Sequence, residues 1–141
     1  MRSVMPDPST PLGERVARRL REERVIWLTT VGSDGTPQPN PVWFLWDGDT
    51  FLIYSLSTAA RHAHIRRNPR VSLNLDRDEG GGVVIITGEA RIVEGEPLVA
   101  QNPAYLAKYE AAMQEIKSNP QTFARDYSIV IRVTPKKVRS F

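Results

Sequence analysis

Three prolines spaced by two, Pro37, Pro39 and Pro41, limit what this chain can fold into. The stretch that holds them, Pro37 to Trp46, alternates Pro37, Pro39, Pro41, Trp43 and Leu45 with Gln38, Asn40, Val42, Phe44 and Trp46, so it reads as extended. Proline has no N–H to give to a ladder, which confines such a strand to a sheet edge or a bulge with backbone groups left open. Asp34-Gly35 precedes the stretch and Asp47-Gly48 follows it, and both are signals of a tight hairpin turn. Its neighbours are therefore antiparallel partners. Val25 to Val31 is dense in β-branched and aromatic residues and is expected to be a strand buried on both faces, and Thr50 to Ser55 is the next strand.

Further strands are expected over Arg70 to Asp76 and Val83 to Val93, joined around Gly80-Gly81-Gly82, and over Tyr127 to Val133. A Pro135 turn and an extended Lys137 to Phe141 complete the chain. Leu12, Val16 and Leu20 recur every four positions from Pro11 to Glu23, giving one helical stripe behind a proline suited to the first turn. Ser57 or Thr58 can cap a short helix through about Arg67, which Asn68-Pro69 ends. Tyr105, Tyr109, Ala112 and Ile116 define one face of a third helix, in a region that Pro120 closes. The expectation is a mainly β, α+β domain: a six-stranded antiparallel sheet with flanking helices. Closure into a barrel is preferred over a sandwich because it removes exposed edges. With 141 residues the chain fits a single domain spanning 1–141, with residues 1–10 as a flexible lead.

Several chemistries are excluded or weakened. There is no cysteine, so disulfides, thiolate metal sites and cysteine nucleophiles are absent. His62 and His64 stand two apart on a helix and point about 200° away from each other, so they cannot grip one metal together. No G-x-S-x-G, G-x-G-x-x-G or G-x-x-x-x-G-K occurs. No apolar run approaches membrane-span length, and a cytoplasmic protein without membrane attachment is expected. Arg15, Arg18, Arg19, Arg21 and Arg24 cluster in a chain of pI about 9.5. Glu14, Glu22 and Glu23 interleave with them, which suits a solvated helix face and leaves nucleic-acid binding a minor alternative.

What remains is Tyr54-Ser55-Leu56-Ser57-Thr58-Ala59-Ala60-Arg61, a strand running into a helix start with hydroxyls and one cation. Unpaired N–H groups at a helix start make this a phosphate-cradle candidate, although Ser and Thr are also ordinary caps.

The stretches VIWLTTVGSDGTPQPNPVWF, ARHAHIRRNPRVSLNLD, VVIITGEARIV and IVIRVTPKKVRSF resemble, in order and spacing over about residues 12–141, the pyridoxamine 5'-phosphate oxidase-like split-barrel family. Within it the chain is most similar to the short actinobacterial deazaflavin-dependent oxidoreductases. The resemblance implies a six-stranded split barrel, a homodimer, and cofactor sites between the subunits. It aligns Pro41, Val42 and Trp43 with the strand along which a ring system lies, and Ser55, Ser57, Thr58 and Arg61 with a phosphate-binding region. Tyr54 and Ala60 lie beside these and complete the candidate cofactor contacts. Arg61 stands where relatives often carry lysine, and His64 where many carry asparagine.

FMN users of the family carry a denser S-R-K type motif than Ala59-Ala60-Arg61, so the resemblance implies coenzyme F420, with FMN as the alternative. The implied reaction is hydride transfer between that deazaflavin coenzyme and a small organic acceptor, with no protein general acid nominated. A non-catalytic protein that binds a cofactor or haem is a further alternative.

Overall fold

The computed structural model describes residues 4–76 and 82–141. The Gly80-Gly81-Gly82 connection lies, but for Gly82, outside the described residues. Strands β1 (Val25–Val31), β2 (Pro37–Trp43), β3 (Leu45–Trp46), β4 (Phe51–Ser55), β5 (Arg70–Asn74), β6 (Val84–Val93) and β7 (Ile129–Ser140) alternate with helices α1 (Pro11–Glu22), α2 (Arg61–Arg67), α3 (Pro103–Glu115) and α4 (Pro120–Asp126). The strands form one sheet in the order β2-β1-β5-β6-β7-β4-β3, antiparallel at every pairing. Both expected Asp-Gly turns form, with Gly35 and Gly48 at φ of 86° and 94°, values that glycine adopts without steric penalty. Among the described residues no helix is long and apolar enough to cross a membrane.

The sheet has seven strands rather than the six expected, and Phe44 is the reason. The segment Pro37 to Trp46 reads as one strand, but it pairs with β1 up to Trp43 and with β4 from Leu45. The two edges of the sheet are thus successive pieces of one segment, and the sheet rolls back on itself at Phe44. A strand break inside a fold leaves backbone groups that need partners. Here α3 supplies them. The Tyr109 hydroxyl accepts from the Phe44 amide at 2.9 Å and lies 2.9 Å from the Phe44 carbonyl and 2.6 Å from that of Arg24. Lys108 Nζ donates to the Phe44 carbonyl at 3.0 Å and sits 3.8 Å from the centre of the Phe44 ring.

Two apolar clusters hold the fold. One fills the roll of the sheet with Ile26, Leu28, Phe44, Phe51, Ile53, Leu73, Ile86 and Ile131, and is closed by Val16 and Leu20 of α1 and Ile65 of α2. The other joins Leu52, Tyr54 and Val130 to Tyr105, Tyr109 and Met113 of α3 and Phe123 of α4. β4 lies between them and is buried on both faces. β1, expected to be buried on both faces, is buried on one: Ile26, Leu28 and Thr30 face the interior while Trp27, Thr29 and Val31 are only half-buried. Helices cover β4 on its outer side and leave β1 bare.

Three other boundaries differ from expectation. α2 begins at Arg61, and its cap is Ala60 without a side-chain hydrogen bond, so neither Ser57 nor Thr58 caps it. Pro135 does not turn the chain; it lies inside β7, where the register with β6 shifts at Thr87/Gly88 and Lys136 is left unpaired between Pro135 and Lys137. A bulge is where a strand tolerates proline. Pro120 opens a fourth helix instead of ending a region, because Asn119 accepts from the Thr122 amide as an N-cap and proline suits the first helical position.

Candidate functional site

The end of β2, the end of β4, the start of α2, and Phe123 of α4 with Tyr127 just beyond it converge on a cavity of about 360 Å³. Pro41, Val42 and Trp43 form one wall, Tyr54 and Leu56 another, and Phe123 and Tyr127 a third. Arg61 is the one charged residue in the lining, and Val25 and Ile116 complete it. Trp43 stacks on Tyr109 and Phe123, with ring centres 4.7 and 5.3 Å apart, and Phe123 stacks on Tyr127 at 4.0 Å. Trp43 therefore both packs into the core and borders the cavity. Such an aromatic wall suits a flat ring.

Arg61 makes one hydrogen bond, from Nη1 to the Ser55 hydroxyl at 2.7 Å, and its Nε is buried without a partner. Burial disfavours the charged form and pulls its pKa down, and the nearby Tyr127 phenol counters part of this. A half-buried cation that pairs with no carboxylate among the described residues is only partly compensated, and a bound anion would complete the compensation.

Of the residues singled out from sequence, Pro41, Val42, Trp43, Tyr54 and Arg61 line this one cavity. Ser55 is 1% exposed and sits behind it, bonded to Arg61 and to His62 Nε2 at 2.8 Å. Ser57, Thr58 and Ala60 are exposed and do not line it; the Ser57 amide donates to the Asp126 carbonyl at 3.2 Å. The Tyr54 hydroxyl is engaged, donating to the Pro97 carbonyl at 2.7 Å and accepting from Asn102 Nδ2 at 3.0 Å. Burial raises its pKa, so it is a poor proton donor near neutral pH. His62 and His64 reach opposite ways, to Ser55 and to Thr30, and the divergence expected of their spacing is realised.

Phe123, Tyr127, Ile116, Leu56 and Val25 line the cavity without having been singled out. The pair Asn119-Pro120, read as N-cap and first helical residue, would have predicted α4 and with it Phe123 and Tyr127. A larger groove of about 710 Å³ lies on the outer face of β1, β5 and β6. Thr29, Val31, Pro37 and Ser72 line it, and Arg70, Lys136 and Glu89 stand at its borders. None of the candidate cofactor contacts expected from sequence lines it.

Residues 12–141 match the family model described as pyridoxamine 5'-phosphate oxidase. Among curated proteins the comparison finds no match. Solved structures agree with the fold. A conserved hypothetical protein from Mycobacterium tuberculosis aligns at 22% identity and a TM-score of 0.71, covering 100% of this chain and 88% of that one. A structure described as an F420 reductase aligns at 25% identity and a TM-score of 0.64, covering 86% and 94%. The haem storage protein HutZ from Vibrio cholerae aligns at 16% identity and a TM-score of 0.65, covering 94% of each. With its rolled antiparallel sheet and a family match over all but its first eleven residues, the chain belongs to the pyridoxamine 5'-phosphate oxidase family.

Proposed function

We propose that the cavity binds a phosphate-bearing flavin-type cofactor, with coenzyme F420 favoured and FMN second, and that the protein is an oxidoreductase acting on a small organic acceptor. The observation that carries this reading is Arg61: a half-buried guanidinium with no carboxylate partner among the described residues and a buried, unsatisfied Nε, bordering an aromatic cavity. Flavins and deazaflavins join a flat ring to a phosphate at a fixed distance. Arg61 supports the phosphate, and the Pro41-Val42-Trp43 wall supports the ring. The similarity to a protein described as an F420 reductase favours the deazaflavin.

When bound, such a cofactor supplies the hydride chemistry, and the protein supplies position and electrostatics. Arg61 fixes the anionic end by charge-assisted hydrogen bonds, Trp43 and Phe123 exclude water from the ring, and the Tyr127 phenol borders the same space. A single chain's cavity lies near the small end of the roughly 300–1,000 Å³ usual for ligand sites. Val25, Leu56 and Ile116, at 37%, 39% and 56% exposure, leave it an apolar border open to solvent. Both features support a site completed by a second copy of the chain, as a homodimer.

The haem-binding alternative finds no histidine ligand in this cavity. Both histidines are hydrogen-bonded elsewhere and neither lines the cavity.

Titration of the wild type and Arg61→Ala with F420 and with FMN, followed by fluorescence, tests the reading. Charge-assisted hydrogen bonds contribute about 1.5–3 kcal/mol each, so Arg61→Ala is expected to weaken binding about ten- to a hundred-fold. Equal dissociation constants would remove Arg61 from the site. Steady oxidation of the reduced cofactor with an added acceptor separates an enzyme from a binder.

A further inference from the structure

Ser55 carries a hydroxyl with one proton to donate and, being 1% exposed, is shielded from bulk solvent. Its two hydrogen-bond partners are Arg61 Nη1 at 2.7 Å and His62 Nε2 at 2.8 Å. A guanidinium only donates, so the Ser55 oxygen is the acceptor toward Arg61. The one acceptor left for the hydroxyl proton is His62 Nε2. His62 is therefore neutral, with its own proton on Nδ1. An imidazolium would aim a second donor at the Ser55 oxygen, strand the hydroxyl proton, and set a positive charge beside Arg61 and Arg66. The depressed pKa of His62, caused first by burial and then by those two arginines, agrees with this assignment.

We infer that Ser55 and His62 are positioning residues that form a directional relay, Arg61 to Ser55 to His62, which orients the Arg61 guanidinium to receive an anion in the cavity. Donation to His62 polarises the Ser55 hydroxyl and strengthens its hold on Arg61. That hold fixes one Nη1 and leaves the other guanidinium N–H groups uncommitted, matching the unpartnered Nε. The relay also spans two elements, because Ser55 ends β4 while Arg61 and His62 open α2. The Arg61 head group is thereby referenced to the rigid, doubly buried strand. The inference rests on the proposed cofactor reading for the identity of the anion, and the hydrogen-bond accounting stands apart from it.

The test uses Ser55→Ala, His62→Leu and His62→Gln, the last keeping a side-chain oxygen that can accept from Ser55. Each is titrated with FMN and riboflavin, and with the phosphate-bearing deazaflavin and its phosphate-free chromophore. Ser55→Ala and His62→Leu are expected to weaken the phosphate-bearing ligands about tenfold while leaving the phosphate-free ligands unchanged, and His62→Gln is expected to recover most of the loss. Equal weakening of both ligand classes, or no weakening of either, would overturn the relay's positioning role. Imidazole nitrogen NMR of the ligand-free wild type supplies a readout independent of any cofactor. Protonated Nδ1 with unprotonated Nε2, lost in Ser55→Ala, supports the relay; a proton on Nε2 overturns it. If the relay is found by NMR but the wild type does not distinguish phosphate-bearing from phosphate-free ligands, the phosphate role of Arg61 fails and the positioning role falls with it.

Discussion

Lys108 is the residue whose chemistry departs furthest from its ordinary setting. It lies over the Phe44 ring and donates to the carbonyl at the strand break, and burial pulls its pKa from 10.5 down to about 8 while Glu23 pushes the other way. The folded state thus holds this proton less tightly than the unfolded chain does. Stability should rise as pH climbs from about 8 toward 10, since over that window the unfolded chain still holds a proton that the folded chain has already released. Near pH 10 the buried tyrosines turn the trend around. Tyr105 and Tyr109 have raised pKa values, mainly through burial, so their phenols ionise first in the unfolded chain and stability falls. Denaturant midpoints measured from pH 7 to 11 are expected to show this rise and fall, with the rise absent in Lys108→Met. A flat profile in the wild type would mean that Lys108 titrates normally. Nothing in the sequence singles out Lys108, because its neighbours Leu20, Glu23 and Phe44 are far away in the chain and meet it only after the sheet rolls.

At the scale of elements, the close approach of β6 and β7 gives a sharp prediction. A Cβ on Gly88 would stand 2.2 Å from the Thr134 carbonyl oxygen, a backbone atom that can move only with its strand. Gly88→Ala should therefore open the bulge and destabilise by about 1–3 kcal/mol, read as a lower melting temperature, whereas a bulge that relaxes freely would leave it unchanged. The helix that sequence reasoning missed gives another. Asn119→Ala removes the cap of α4 and should cost about 1 kcal/mol, and because Phe123 and Tyr127 line the cavity it should also weaken cofactor binding. Unchanged affinity would show that α4 does not shape the site. Elements set by local signals were legible in the sequence: the hairpins at Asp34-Gly35 and Asp47-Gly48, α1 behind Pro11, and the strands β5 and β6. Those set by distant partners were not. The break at Phe44 depends on Tyr109, the continuity of β7 through Pro135 depends on a bulge facing β6, and Ile116, placed by periodicity on one helical face with Tyr105, Tyr109 and Ala112, is 56% exposed just after α3 ends. Within the candidate site, Trp43, Tyr54 and Arg61 were singled out in the sequence and Phe123 and Tyr127 were not, while the exclusion of Ser57 and Thr58 followed from a helix that starts at Arg61.

For the whole molecule the open question is what covers its uncovered apolar surface. Val25, Leu56 and Ile116 border the cavity, and the outer face of β1 carries half-buried Trp27, Thr29 and Val31 beside the larger groove. Patches of this kind mark association surfaces, and obligate homodimers commonly bury roughly 2,000–5,000 Å². The proposed dimer makes a linked prediction. Leu56→Asp together with Ile116→Asp should shift sedimentation from dimer to monomer and weaken cofactor binding in parallel. A dimer that persists with unaltered affinity would separate the cavity border from the interface.

The prolines of β2 have one more consequence. β2 keeps an unbroken register with β1 over all seven residues, so the nitrogens of Pro37, Pro39 and Pro41 must face away from β1. The free side of this edge then presents carbonyl oxygens with no amide hydrogens at those three positions. An incoming strand needs both donors and acceptors in alternation, and it would meet like against like. The edge is thus closed to runaway strand addition without a covering element, a safeguard against aggregation written into the same strand whose last three residues form one wall of the cavity.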